Sequence, residues 1–259
     1  MLESLLKLLE IKITLLMTTK IPFYIEILFI GLIVYLLVFL YKSLRYAKNS
    51  GGYNFSVTRI LVIIFAWLGL MGLAAGKEFF TDFSTMPPKF LVAILVPLIS
   101  LILLISIRKS REVLLHFPVR NIVGFQSFRI VMEGILWLIF IYGIIPEQMT
   151  LEGRNWDVLV GLTAPVAVWM VFTKRMMGNK FLIVWNIFGI LMLTNIVITA
   201  LLSTPLPIRF FMNEPANTMI VYYPMVWLPS FVVPMAYFGH FVSLAQCLQD
   251  KKGVYAKSV

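Results

Sequence analysis

Seven stretches of about 20 predominantly apolar residues run through this chain, each long enough to cross the hydrocarbon of a bilayer. They fall at 22–41, 60–76, 88–107, 122–145, 156–173, 181–203 and 221–248. Inside lipid every backbone N–H and C=O needs an internal partner, so stretches of this length fold as helices. Connections this short make consecutive helices antiparallel neighbours and leave no room for a separate soluble domain. The expected fold is an all-α, polytopic transmembrane bundle of about seven helices.

Composition supports the same class. Of the 259 residues 60% are hydrophobic and 13% charged, against about half and about a quarter in soluble domains. A soluble fold of this size would lack the polar side chains to cover its surface.

Lysine and arginine alternate from loop to loop. Lys42, Arg45, Lys48 and Arg59 mark the first loop, Arg108, Lys109, Arg111 and Arg120 the third, and Lys174, Arg175 and Lys180 the fifth. Lys251, Lys252 and Lys257 follow the last stretch, whereas the fourth loop has Arg154 alone and the sixth Arg209 alone. Positive residues stay cytoplasmic, so the expected orientation has the N-terminus outside and the C-terminus in the cytoplasm. Glu78, Asp82, Glu147, Glu152, Asp157 and Glu214 all fall on the opposite, outer side. The net charge of +10 then belongs with anionic lipid headgroups, since no basic domain interleaved with aromatics suggests nucleic acid.

Three regions follow: 1–20, a single transmembrane domain over 21–249, and a basic cytoplasmic tail over 250–259. The first has charges spaced between apolar residues, as in an amphipathic interfacial helix. It also fits an extension ahead of a start at Met17, and it lacks the basic region and cleavage site of a signal peptide. A short segment at 112–117, ending before Pro118, is expected on the membrane surface. Pro224, Pro229 and Pro234 should kink or break the last span, because proline removes a backbone donor and crowds the preceding turn.

Ionisable groups within a span are costly unless paired or hydrated, which makes them functional candidates. Gln126, Arg129, Glu133 and Trp137 share one face of the fourth span, with Arg129 and Glu133 spaced to pair at i, i+4. At 1.5 Å per residue Arg129 lies about 10 Å and Glu133 about 16 Å from the cytoplasmic end. His240 lies about 12 Å and Asn186 about 8 Å deep by the same rule. These five, Gln126, Arg129, Glu133, Asn186 and His240, are candidates for a buried polar site; the alternative is an ion pair that merely locks helices together. Tyr237, His240 and Ser243 share a face with Cys247, while Asn195 points away from Asn186.

A second candidate cluster lies at the outer face: Glu152, Arg154, Asn155, Asp157, Arg209, Asn213 and Glu214. Asn155 is placed to cap the fifth span with Asp157 in its first turn, and Asn213 before Glu214-Pro215 reads as another helix start. Either a ligand-binding rim or a solvated edge fits the remainder.

Gln126-x-x-Arg129-x-x-x-Glu133, Gly153-Arg154-Asn155 and Asn213-Glu214-Pro215-Ala216-Asn217 resemble a family of uncharacterised bacterial multi-pass membrane proteins. The resemblance covers about 117–246 and implies a bacterial inner-membrane location, with no activity attached.

No phosphate-binding glycine loop, H-E-x-x-H, CxxC or serine-hydrolase motif is present. With a single cysteine and two histidines on different segments, neither a metal nor a cofactor is expected. The expected partners are membrane lipids and a small-molecule ligand; the sequence leaves the oligomeric state open. Three functions fit: small-molecule or ion handling through the polar site, lipid or polyprenyl modification at the outer face, or a non-catalytic role in a membrane complex. The first is preferred for the Arg129–Glu133 face, His240 and the proline-broken last span.

Overall fold

With nothing polar to compete for their backbone groups, the apolar stretches become helices, and residues 21–249, which the computed structural model describes, contain no strand. The expectations for 1–20, Met17 and 250–259 lie outside the described residues. Helix α1 (Phe23–Gly51) runs ten residues beyond the expected span, so Lys42, Arg45 and Lys48 ride on its last turns. Helix α2 (Val57–Gly76) starts where the Ser56 side chain accepts from Arg59 N–H.

Helix α3 (Leu91–Ser106) bends by 92° into α4 (Arg108–Leu114), the counterpart of the expected surface segment, begun four residues earlier. Gln246 Nε2 donates to the carbonyls of Phe117 at 2.7 Å and Leu115 at 3.1 Å, fastening the end of this piece to the last span. Helix α5 (Val119–Ile141) ends before the expected 145, because Gly143 takes φ +66°. Its N–H reaches back to Phe140 and that of Ile144 to Ile139, the bonding of a glycine-stopped helix end.

Helix α6 (Val158–Thr173) finishes in a π turn at Trp169–Thr173, and α7 is Asn179–Leu202. The last span is broken as its prolines require: a 3₁₀ turn at Met219–Val221, then α8 (Leu228–Gln249), whose first five residues form a π turn around Pro229. No helix starts at Asn213; the segment is a turn tied by Arg209.

Among the described residues five helices, α1, α2, α5, α7 and α8, are long and apolar enough to cross a membrane, and the bent α3–α4 pair makes a possible sixth. This is a membrane protein with an all-helical transmembrane domain. Burial divides the helices by role. In the most apolar window of α8, 72% of residues are buried, and in α5 61%, against 11% in α2. So α8 and α5 form the centre, with α7, α3 and α2 against α8 and α1 and α6 against α5. The peripheral α2 is fastened by two indoles: Trp227 Nε1 donates to Leu68 C=O, and Trp67 Nε1 to Ser230 C=O. The central helices carry the polar residues that a lipid-facing surface would not tolerate.

Candidate functional site

The inner face of α5 presents Gln126, Arg129 and Glu133, exposed by 1%, 2% and 7%. Their spacing places them on one stripe, as expected, but the expected ion pair between Arg129 and Glu133 is not formed. Arg129 Nη1 instead bonds Asp157 Oδ1, and its Nε donates to Gln126 Oε1 at 3.1 Å. Gln126 Nε2 in turn donates to the Ala236 carbonyl of α8 at 3.1 Å. Glu133 accepts from the Leu151 N–H and from Asn155 Nδ2, both at 2.5 Å. Trp137, one turn further, leaves the core to donate to Glu152 at 2.7 Å.

Two features bring Asp157 to Arg129. Helix α6 approaches α5 closely at Gly161, where a Cβ would lie 3.0 Å from Ile130 N and 3.2 Å from Arg129 Cβ. The preceding segment then folds inward over the end of the bundle. Gln148 Nε2 donates to Ser203 Oγ, Asn155 Nδ2 to the Met149 carbonyl, and Asn195 Nδ2 to the Arg154 carbonyl. Asn155 is therefore spent on Glu133 and on its own loop. Asp157, not Asn155, holds the N-cap position of α6, and Asn155 Oδ1 accepts only its N–H.

The two expected clusters thus regroup. Asn155 and Asp157, placed by sequence at the outer face, belong with Gln126, Arg129 and Glu133. Asn186 and His240 form a separate pair, with His240 Nδ1 to Asn186 Oδ1 at 2.9 Å and Asn186 Nδ2 donating to Ser243 at 2.9 Å. The Trp185 ring stands 5.3 Å from the imidazole. Tyr237 meets Thr194 at 3.0 Å, so the Tyr237–His240–Ser243 face does turn towards α7. At the rim Arg209 Nη1 binds Glu214 at 2.9 Å, and its Nη2 and Nε bond the carbonyls of Asn213 and Phe211. Arg154 lies over the Phe211 ring at 5.2 Å. Those bonds account for Arg209, Asn213 and Glu214 as a self-satisfied turn.

Beside the charged network is a cavity of about 250 Å³, close to the lower end of the ~300–1,000 Å³ usual for small-molecule sites. Arg129, Glu133, Asn155 and Asp157 occupy one part of its wall, and the rest is almost wholly apolar, including Phe128, Met132, Leu193 and Ile196. Half-exposed side chains of α3 (Leu91, Ile94, Leu95) and α7 (Val197, Ala200, Leu201) also line it, so the space extends towards the lipid-facing surface. Arg129 Nη2 is buried and has no hydrogen-bond partner. The Leu151 N–H and the apolar wall from α3 and α8 were not among the sequence candidates. A backbone donor carries no side-chain signal, and an apolar residue lining a cavity reads like any other in a span. No three His, Cys, Asp or Glu among the described residues are grouped to hold a metal ion.

No curated protein and no solved structure matches the chain. A family model does match residues 85–248, from just before α3 through α8, and so includes every residue of the network and cavity. The chain belongs to that family, described as a domain of unknown function (DUF8737).

Proposed function

We propose that this protein handles a small apolar molecule drawn from the bilayer, with the cavity beside Arg129 as its site. The observation that carries this reading is a cavity whose wall is apolar apart from Arg129, Glu133, Asn155 and Asp157. The extension of the cavity towards α3 and α7 supports entry from lipid rather than from water. The reading includes seven spans in a bacterial inner membrane, with the N-terminus outside and the C-terminus cytoplasmic, on the strength of the loop charges. Anionic headgroups are the lipid partners we assign to the basic end of α1, where Arg45 and Lys48 line a polar hollow with Ser56. An outer-face enzyme has less support, because Arg209, Asn213 and Glu214 satisfy one another and do not line the cavity.

The test is photolabelling of the protein in nanodiscs with a long-chain methyl ester carrying a diazirine. Labelling should concentrate on the cavity-lining peptides of α3 and α7 and fall when Leu193→Trp fills the space. Labelling spread evenly over lipid-facing helices, and unchanged by Leu193→Trp, would overturn the proposal.

A further inference from the structure

The last turns of α1 carry two cations that no carboxylate of the described residues pairs. Tyr41, Arg45 and Lys48 share one face of the helix at i, i+4 and i+7. Together with Asn49 and the segment from Asn54 to Thr58 they line a hollow of about 380 Å³, separate from the cavity beside Arg129. No aspartate or glutamate lines it, and neither Arg45 nor Lys48 forms an ion pair among the described residues. Arg45 is steadied by Tyr41, whose Oη accepts from its Nη1 at 2.9 Å and whose ring centre lies 5.7 Å from the guanidinium carbon. Asn49, Asn54 and Thr58 add exposed amide and hydroxyl groups.

The depth of the hollow indicates what reaches it. Helix α2 has 20 residues and at 1.5 Å each spans the ~30 Å of a hydrocarbon core, which puts its first turn at the edge of that core. Val57 and Thr58 of that turn line the hollow. Arg45 and Lys48 opposite them therefore stand in the headgroup layer, about 5–8 Å thick on each side. A phosphate there accepts charge-assisted hydrogen bonds from both. The ammonium of a zwitterionic headgroup would instead meet two cations with no carboxylate between them. The amides and hydroxyls of the opposite wall are left for uncharged hydroxyls beyond the phosphate.

Resting on the headgroup assignment above, we infer that this hollow is a site for one lipid molecule whose headgroup is an anionic phosphodiester bearing free hydroxyls. Arg45 and Lys48 hold the phosphate, and Asn54 and Thr58 the hydroxyls.

The experiment is native mass spectrometry of the delipidated full-length protein in detergent, titrated with lipids of one chain composition. Phosphatidylglycerol has the charge and the hydroxyls, phosphatidylmethanol the charge alone, and phosphatidylcholine a quaternary ammonium. Phosphatidylglycerol should fill a first site about tenfold more tightly than phosphatidylcholine, the worth of one hydrogen bond to a charged group, with phosphatidylmethanol between them. Arg45→Gln/Lys48→Gln should abolish that preference, whereas Lys109→Gln/Arg120→Gln, which removes the same charge from another basic loop, should keep it. Asn54→Ala/Thr58→Ala should lower phosphatidylglycerol to the level of phosphatidylmethanol. Inorganic phosphate and glycerol 3-phosphate should not displace the lipid; displacement by either would make a soluble phosphate the ligand and overturn the lipid assignment. Equal loss in the two charge variants would reduce the hollow to diffuse attraction, overturning the inference but not the headgroup assignment. Phosphatidylcholine binding as tightly as phosphatidylglycerol would overturn both. Phosphatidylglycerol binding no more tightly than phosphatidylmethanol in the wild type would overturn the hydroxyl contacts. The cavity reading stands or falls separately, on the photolabelling.

Discussion

Arg129 is held on two of its three nitrogens, and the choice of partner decides how the site responds to mutation. At position 157, 28 residues away in the chain, a carboxylate offsets its charge. Glu133, only one turn away on the same helix, is occupied by Leu151 and Asn155. Asp157→Ala should therefore cost about 3–5 kcal/mol, because it leaves a buried guanidinium uncompensated. Glu133→Gln should cost less, about 1–3 kcal/mol, since its amide NH₂ faces one N–H donor and loses that bond. Replacing both members of the ion pair, in Arg129→Met/Asp157→Leu, should restore much of what Asp157→Ala loses. Thermal unfolding in detergent gives the order; Glu133→Gln falling below Asp157→Ala would mean that Glu133 is the principal counter-ion. The stripe of Gln126, Arg129 and Glu133 is legible from the sequence, because i, i+3 and i+7 must share a helix face. The pairing is not, since it depends on a loop folding back, and local spacing contains no record of that.

Elements were legible where a single residue type sets their geometry. The prolines break the last span, as expected, whereas the Ser56 cap starts α2 ahead of the expected 60. Less legible were the ends set by tertiary contact, such as the extra turns of α1. Helices α7 and α8 approach each other closely at Gly189. A Cβ there would lie 2.2 Å from His240 Cε1, and the imidazole has little freedom to withdraw, being bonded to Asn186 and set against Trp185. Gly189→Ala should thus destabilise by about 1–3 kcal/mol through overpacking. Shortening the facing side chain in Gly189→Ala/His240→Ala relieves the clash, so the double variant should be more stable than the sum of the two single losses predicts. Strict additivity in thermal unfolding would show that α7 and α8 shift apart at no cost. It would also remove the argument that small size at 189 is what lets His240 reach Asn186.

At the scale of the whole molecule, hydrophobicity and the alternation of basic loops make the membrane fold legible, and they give an orientation that hinges on α6. That helix has eleven α-helical residues and a five-residue π turn. At 1.5 Å per residue it reaches about 24 Å, less than the ~30 Å of a typical hydrocarbon core. If α6 crosses, Glu152 before it and Met176 after it lie on opposite sides. If it only dips into the membrane, they share a side, and the basic residues Lys174, Arg175 and Lys180 would sit outside, against the charge rule. The loop before α6 already folds inward to reach Glu133, which lowers the start of the helix and shortens the distance left to cross. A crossing is therefore expected. In a Cys247→Ser background, single cysteines at the exposed Ser50 and Met176 should react with an impermeant maleimide only from the cytoplasmic side. Cysteines at Ser84, Glu152 and Met212 should react only from outside. Met176→Cys reacting together with Glu152→Cys would make α6 a re-entrant helix and reverse the placement of α7 and α8. The cavity would still open towards lipid, but its polar end would then face the opposite leaflet.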